Sequence, residues 1–404
     1  MNGGDEERAA AAQEQPSPVT AAERLAADLR PHAAGWDREG GLPAAVRKEV
    51  AAAGLLAPDL PRRYGGSEVT PAQLGEMCAH LGGVCSALRG LVTVQGMVAA
   101  AVNRWGTREQ REQWLPRLAD GGLTAAFAAT EEGAGSALPA VETRIEGAAE
   151  TGGGGEGDGV VVTGRKRWLT FGQDAQVFLV LGQDRGRPAA VLVEGDRDGV
   201  GREPVGGQLG MRAAQIAHVT FDAVRVPRRN LLAPAGLGLS HVAATALDHG
   251  RFTVAWGCVG MAEACVEDAT AHAAARTQGG SALFGHQSVR ALLARAAVET
   301  AGARELARRA AEFRAKGAQR GVNETIVAKY AAAAAAASAS RDAVQVLGSA
   351  GCGPDSRSGR HFRDAKVMEI IEGAQQVAEE HIAEQLLRRH APQPAAARGE
   401  GVPA

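Results

Sequence analysis

The chain has 404 residues, which exceeds one ordinary hydrophobic core and predicts two or three domains. Its apolar fraction of 45% supplies those cores, and a formal net charge of −2 argues against a nucleic-acid partner. The five cysteines form no CxxC pair and show no zinc-ligand spacing. We therefore expect reduced thiols in a cytoplasmic protein without a bound metal.

The two ends of the chain differ from the rest in composition. Residues 1–19 are mostly polar and lack the apolar segment of a signal peptide, so a disordered lead-in is expected. Residues 391–404, rich in Ala, Gly and Pro, predict a disordered tail. Between them no window approaches the roughly 18 apolar residues of a membrane span, so no membrane partner is expected.

Apolar residues between 20 and 122 recur at helical spacing. Leu25 and Leu29 are four residues apart, as are Val46 and Val50. A turn-rich stretch at 58–66 interrupts the pattern. The region predicts an N-terminal α-helical domain.

Residues 123–232 change to short β-branched runs separated by Gly, Asp and Pro. This pattern predicts a middle β-domain with a small antiparallel sheet or barrel. The Gly-rich segment 152–159 favours a mobile hairpin tip over a phosphate cradle, because no helix follows it and no Lys-Ser/Thr pair ends it. The runs are 160–163, 177–181, 190–193 and 219–221.

Long helical patterns return over residues 233–390 and predict a C-terminal helical bundle. Val254, Cys258, Met261 and Cys265 repeat at intervals of four, three and four, which indicates one buried stripe. These cysteines are therefore expected in the core rather than as ligands. The fold class is α+β, with helices first, then a sheet, then a bundle.

Two segments of the predicted β-domain suggest a ligand site. In FAATEEGAGSA (127–137) a strand end runs into a Gly-rich turn, whose backbone can approach a flat or anionic ligand closely. In KRWLTFG (166–172), Trp168 and Thr170 are two residues apart and are predicted on one side of a strand, where both can face a ring. An ordinary strand-to-loop connection and a half-buried core tryptophan explain the same residues.

The third segment, HFRDAKVMEIIEGAQQ (361–376), contains a carboxylate in apolar surroundings. Glu372 follows two isoleucines and precedes a glycine. Poor solvation raises the pKa of a carboxyl group and suits it to proton abstraction. A solvated glutamate at a helix end is the alternative, and Glu369 is the competing carboxylate.

In this order the three segments resemble the signature motifs of the acyl-CoA dehydrogenase family, over about residues 20–390. The resemblance implies a helical domain, a small β-domain and a C-terminal four-helix bundle. It also implies FAD, whose N5 accepts a hydride, with Trp168 packed beside the flavin ring and Thr170 bonded near N5. Glu372 is implied as the catalytic base that removes the proton α to a thioester.

Three further motifs keep the family's spacing. RTQGGSALFGHQ (276–287) resembles an element that reaches the FAD of a neighbouring subunit, and QVLGSAG (345–351) resembles a turn that meets the pyrophosphate across an interface. A homodimer or homotetramer is therefore implied. LDHGR (247–251) resembles the family's substrate-contacting Asp-x-x-Arg element.

The resemblance implies two sets of site residues. The substrate-binding set is Ser136, Asp248, Arg251 and Gly373. The cofactor-binding set is Phe127, Ala129, Thr130, Gly135, Ser136, Trp168, Leu169, Thr170, Arg276, Gln278, His286, Gln287, Gln345, Val346, Gly348, Ala374 and Gln376.

Several positions depart from the family pattern. Ala137 replaces a common Asp, Ala214 a Ser and Ala374 a Thr, while Gly279 occupies the usual Phe position. Gly250 stands where some members carry an alternative catalytic Glu. That second location is therefore empty, and Glu372 has no rival.

A narrower resemblance points to a substrate. CSALRGLVTVQGM (85–97), GRFTVAWGCVG (250–260) and AKVMEIIEG (365–373) resemble dehydrogenases that make methoxymalonyl-type extender units for polyketides. Those enzymes act on acyl groups tethered to an acyl carrier protein. The resemblance implies a short, oxygenated three-carbon thioester, oxidised either to an enoyl thioester or to an acid, with an electron-transfer flavoprotein or oxygen as acceptor.

Three other functions remain open at this point. One is an acyl-CoA dehydrogenase of ordinary short-chain metabolism. Another is a flavin oxidase or monooxygenase on the same fold, although a catalytic glutamate argues against a hydroxylase. The last is a non-catalytic helical binding protein, which the departures at Ala137, Gly279 and Ala374 motivate.

Overall fold

A computed structural model describes residues 17–147, 159–317 and 320–390. The predicted tail, most of the lead-in and nearly all of the predicted hairpin tip at 152–159 lie outside these ranges. The first described helix begins at Pro18, because the Ser17 hydroxyl accepts a hydrogen bond from the Thr20 amide and caps it.

The N-terminal region is helical, as its periodicity predicts. Leu29, Val46 and Val50 are buried on helix faces that pack into the main core. Thr70 and Thr107 each close a capping box that fixes where the following helix starts. The helices are α1 (Pro18–Leu29), α2 (Ala33–Glu39), α3 (Ala44–Ala52), α4 (Pro71–Gly82), α5 (Ser86–Trp105) and α6 (Arg108–Ala119).

The middle region forms one seven-stranded sheet, and each predicted β-branched run lies within a strand. The expectation of a purely antiparallel sheet is wrong, because β1 pairs in parallel with β4. The connection between these two strands is long enough to allow parallel pairing. The strands are β1 (Ala125–Ala128), β2 (Arg144–Gly147), β3 (Gly159–Leu169), β4 (Val177–Asp184), β5 (Arg187–Glu194), β6 (Val200–Pro204) and β7 (Ala217–Pro227).

Long helices form the C-terminal bundle. The predicted stripe of Val254, Cys258, Met261 and Cys265 is fully buried on one of them. Four helices, α7 to α10, pack against one another, and α11 packs on α9. The elements are α7 (Ala244–Ala275), the short hairpin β8 (Thr277–Gln278) and β9 (Ser281–Ala282), α8 (Gln287–Ala315), α9 (Gly321–Leu347), α10 (Arg357–Met368) and α11 (Gln375–His390).

Glycines bring the N-terminal helices into backbone contact with the bundle. A Cβ at Gly82 would lie 2.4 Å from the Gly257 carbonyl oxygen, and one at Gly260 would lie 1.9 Å from the Ala79 carbonyl oxygen. Only glycine allows α4 and α7 to approach this closely. Because α5 follows α4 after a short turn, its face is placed against α7, where the candidate site lies.

None of the described helices has the length and apolar character to cross a membrane. Likewise, the described residues contain no group of three or more His, Cys, Asp or Glu side chains that could hold a metal ion.

Candidate active site

Glu372 lies in the short loop between α10 and α11, and its backbone is strained. Its φ is +55°, a region that costs a non-glycine residue about 1–3 kcal/mol, and Gly373 follows at +99°. The glycine in the IIEG sequence permits this second left-handed residue. The loop therefore turns sharply and directs the Glu372 side chain inward.

Two cations hold the strained loop through its carbonyl groups. Arg251 Nε donates to the Glu372 carbonyl oxygen at 2.9 Å, and Lys329 Nζ donates to the Gly373 carbonyl oxygen at 2.7 Å. Arg251 comes from α7 and Lys329 from α9, so two bundle helices fix the loop. Burial lowers the pKa of Lys329 to about 8.

One oxygen of the Glu372 carboxylate lacks a hydrogen-bond partner in the described chain. Glu372 is half-buried as a residue, but its Oε2 atom is buried and accepts no hydrogen bond from the described part of the chain. Burial raises the pKa of Glu372 to about 7, although the nearby charges of Arg251, Lys329 and Arg89 lower it. Such a group can exchange a proton near neutral pH.

Gly250 makes the space that the carboxylate occupies. A Cβ at this position would lie 2.7 Å from Glu372 Oε2 and 2.9 Å from Met97 Sδ. Any larger residue would compete with Glu372 for the same volume. The Glu372 carboxylate thus occupies the space beside position 250, where some family members are expected to carry their catalytic Glu.

Trp168 and Thr170 lie at the end of β3, next to α5. Trp168 is 56% exposed at a φ of +61° and packs edge-on against His218. Alternation along a strand does not apply to this pair, because the register with β7 shifts between Lys166 and Leu169 and the strand ends before Thr170. Whether both side chains face one ring stays a prediction. The methyl group of Thr170 faces Gly90 of α5.

The loop after β1 is anchored by a buried ion pair. Lys166 Nζ lies 2.7 Å from Glu131 Oε1 and also donates to the carbonyl oxygens of Ala129 and Leu181. Glu131 accepts further bonds from the Thr143 amide and hydroxyl. The exposed end of the loop is open, since a Cβ at Gly133 or Gly135 would meet no atom within 4 Å.

The other predicted residues of this loop run from the end of β1 to its exposed part. Phe127 is half-buried in β1, Ala129 is buried, and Thr130 accepts a backbone bond from Arg167 at 2.9 Å. Ser136 is exposed. The structure therefore places the predicted loop residues along one chain segment beside the end of β3.

The two charged residues of the LDHGR motif have different surroundings. Arg251 contacts the Glu372 loop, as described above, whereas Asp248 forms an ion pair with Arg314 of α8. One oxygen of the Asp248 carboxylate is thus paired with Arg314, and the other, Oδ1, is buried without a partner in the described chain. Substrate contact by Asp248 stays a prediction.

The remaining predicted cofactor residues fall into two groups: Ala374 and Gln376 follow Glu372 directly, and the others lie near the ends of α7, α8 and α9. His286 Nε2 contacts the Gln278 carbonyl oxygen at 3.3 Å, which closes the hairpin between α7 and α8. Gly348, at φ +60°, ends α9 in a conformation that favours glycine. Arg276, Gln278, His286, Gln287 and Gln345 are exposed, Val346 is buried, Ala374 is half-buried and Gln376 is exposed.

Sequence reasoning missed three site residues. Lys329 and Arg89 are both 2% exposed although each is charged, and Met97 touches the carboxylate volume. A signal existed for two of them, because Lys329 and Arg89 each interrupt an otherwise apolar helical run.

Comparisons with known proteins identify the family of the chain. Models of the N-terminal, middle and C-terminal domains of acyl-CoA dehydrogenases match residues 13–122, 126–224 and 238–387. The chain is 31% identical over 369 residues to the mitochondrial short-chain specific acyl-CoA dehydrogenase of Mus musculus, covering 90% of this chain and 87% of that one. The chain therefore belongs to the acyl-CoA dehydrogenase family, a family of oxidoreductases.

Two solved structures are similar over nearly the whole chain. FkbI, described as a protein for biosynthesis of the methoxymalonyl extender unit of the polyketide Fk520, is 38% identical with a TM-score of 0.82, covering 91% of this chain and 99% of that one. A glutaryl-CoA dehydrogenase from Mycobacterium smegmatis, solved in complex with FADH2, is 25% identical with a TM-score of 0.86, covering 96% of each chain.

The contact between Gly250 and Glu372 predicts a specific defect. In Gly250→Ala the new methyl group should displace the carboxylate, because both neighbours are ends of flexible side chains that can move. We expect the rate of acyl-thioester dehydrogenation to fall about 100-fold, because moving a catalytic group by about 1 Å lowers the rate by about that factor. Steady-state kinetics with one thioester substrate measures the change.

Gly302→Ala is the matched control, because a Cβ there meets no atom within 4 Å on α8. It should retain full activity. Wild-type activity in Gly250→Ala would show that the carboxylate position does not matter.

Proposed function

We propose that the protein is an FAD-dependent acyl-thioester dehydrogenase in which Glu372 removes the α-proton. The observation that supports this most strongly is the buried Oε2 atom without a hydrogen-bond partner, in a carboxyl group whose pKa is raised to about 7. A carboxylate serving only stability is normally paired when it is buried. Here the adjacent cations bind the backbone instead.

The described residues fit a flavin beside this loop. An exposed tryptophan ring, the open loop at Gly133 and Gly135 and the nearby Thr170 offer a stacking surface, close backbone approach and a hydroxyl donor. In our proposal Phe127, Ala129, Thr130, Gly135, Ser136, Trp168, Leu169, Thr170, Ala374 and Gln376 hold FAD within one subunit. When bound, FAD supplies the acceptor for the hydride that leaves the β-carbon.

In our proposal, residues of the chain accept the proton and stabilise the negative charge that develops on the substrate. Glu372 takes the proton from the α-carbon, and the resulting negative charge on the thioester oxygen needs hydrogen-bond donors. In the described chain the Glu372 amide donates to no backbone or side-chain acceptor, so it is free for that oxygen. Arg251 and Lys329 keep both the amide and the carboxylate in place through the carbonyl groups.

We further propose that the substrate is a short, oxygenated acyl group on an acyl carrier protein. The 38% identity to FkbI and its description as a methoxymalonyl extender-unit protein support this choice. An acyl-CoA dehydrogenase of ordinary short-chain metabolism is the second candidate, which the 31% identity to the Mus musculus enzyme favours. An electron-transfer flavoprotein or oxygen would reoxidise the flavin.

Anaerobic mixing separates these two candidates. Matched three-carbon acyl groups are presented on carrier protein and on CoA, with and without hydroxyl groups, and loss of the yellow flavin absorbance is followed. We expect faster bleaching by the carrier-linked, oxygenated form. Equal or faster bleaching by propionyl-CoA, the unsubstituted three-carbon CoA thioester, would reject that substrate in favour of ordinary short-chain metabolism.

Replacing the base tests the chemical assignment. Glu372→Gln should still bind FAD and stay yellow, but its flavin should bleach about 1000-fold more slowly with substrate, since an amide cannot accept the proton. Stopped-flow absorbance under anaerobic conditions measures the rate.

Glu369→Gln is the control, because the Glu369 carboxylate is already bound by Lys366 at 2.9 Å. This variant should react at close to the wild-type rate. If Glu372→Gln kept full activity, the base assignment would be lost.

We also propose a homodimer or homotetramer in which Arg276, Gln278, His286, Gln287, Gln345, Val346 and Gly348 reach the FAD of a neighbouring subunit. All of them except Val346 are exposed in the single chain, which leaves them available for such contacts. Sedimentation of the FAD-loaded protein should therefore give two or four chains. A monomer at every concentration that still holds FAD would contradict this arrangement.

A further inference from the structure

Arg89 is a buried cation that the proposed mechanism does not use. It is 2% exposed on α5, and its Nη1 and Nη2 donate to Thr93 Oγ1 at 3.1 Å and to Met368 Sδ at 3.0 Å. No carboxylate of the described chain lies within 4 Å of its guanidinium nitrogens. The two partners are a neutral hydroxyl and a weakly accepting thioether.

A guanidinium in this state is incompletely satisfied. It carries five N–H donors, and the two acceptors found in the described chain are both neutral. Removing a cation from water is costly unless an anion or several acceptors replace the water. Gly257 makes space for the Arg89 side chain in the interior. A Cβ at position 257 would lie only 2.8 Å from Arg89 Cδ.

Arg89 lies on the side of α5 that faces Glu372. Arg89, Thr93 and Met97 are spaced by four residues and therefore share one helix face. At one end of this face Met97 adjoins the Glu372 carboxylate beside Gly250. At the other end, the guanidinium charge lowers the pKa of that same carboxyl group.

A hydrogen-bonded chain connects the two ends. Arg89 donates to Thr93, Thr93 and Thr253 lie 3.0 Å apart, and Thr253 Oγ1 donates to the Gly250 carbonyl oxygen at 3.0 Å. Because Thr253 uses its proton on a carbonyl, Thr93 must donate to Thr253 and accept from Arg89. Arg89 is thus oriented by the helix that carries Gly250.

We propose that Arg89 determines substrate specificity by binding an oxygen, as carboxylate or hydroxyl, at the end of the short acyl group remote from the thioester. This inference rests on the proposed function, because it requires the α-carbon to lie at Glu372. A planar guanidinium suits the task, since it can bond two oxygens at once and stays charged. An unsubstituted acyl group would leave the buried charge unpaired and would bind poorly.

The direct test is equilibrium binding of two unreactive thioether analogues of an acyl-pantetheine, one ending in a carboxylate and one in a methyl group. Calorimetry on the FAD-loaded wild-type protein should give about 100-fold tighter binding of the carboxylate analogue. Arg89→Met keeps the length of the side chain but removes the donors. It should lose that preference and bind the methyl analogue at least as well as the other.

Arg360→Met is the matched control, because Arg360 is also buried, at 4% exposure, but donates to the Val84 carbonyl oxygen. The ratio of its affinities for the carboxylate and methyl analogues should equal that of the wild type. If Arg89→Met does not fold, Thr93→Val removes the acceptor that orients the guanidinium and should reduce the preference about tenfold.

The outcomes separate this inference from the proposed function. Equal affinity of the wild-type protein for the two analogues, or the same ratio in Arg89→Met and wild type, would overturn the role of Arg89. The role of Arg89 is supported if the wild-type protein prefers the carboxylate analogue and Arg89→Met abolishes that preference. If that preference is found but no acyl thioester bleaches the flavin, the binding role stands and the dehydrogenase proposal fails.

Discussion

The site depends on one arrangement: two cations bind the backbone of the Glu372 loop, and within the described chain the carboxylate oxygen Oε2 has no hydrogen-bond partner. Arg251 and Lys329 each donate to a carbonyl oxygen of this loop. Had either cation bonded the carboxylate, the pKa of Glu372 would be lower and the group would be a weaker base. Their charges instead stabilise a strained turn, while burial keeps the pKa near neutrality.

The rest of the fold can be understood as the support for this arrangement. Close glycine contacts join α4 to α7 and so place α5 beside the carboxylate. The bundle supplies both cations, from α7 and α9, and the middle sheet ends next to α5 with an exposed tryptophan. The N-terminal helices and the bundle therefore meet at Glu372, and the middle sheet meets the same α5 helix at Gly90.

Local patterns in the sequence predicted the order of helices and strands, because each depends on neighbouring residues. For Glu372 the local pattern left burial and solvation open, since its carboxylate is buried against Gly250 and Met97, which are distant in the sequence. Burial of Val254 and Cys258 follows from helical periodicity alone. The parallel pairing of β1 with β4 and the shifted register near Trp168 depend on distant strands, so alternation could not predict them. The partners Lys329 and Arg314 are likewise set by how helices pack, which a motif does not encode.

The pH dependence of kcat/KM for a thioester substrate tests the central claim most directly, because it reports the ionisation of groups in the free enzyme. The base acts in its ionised form, so activity is lost as pH falls through its pKa. With the pKa of Glu372 raised from 4.5 to about 7, kcat/KM should be level at alkaline pH and fall about tenfold per pH unit below neutrality. A level profile down to about pH 5 would show an ordinary, solvated carboxylate and would contradict the account.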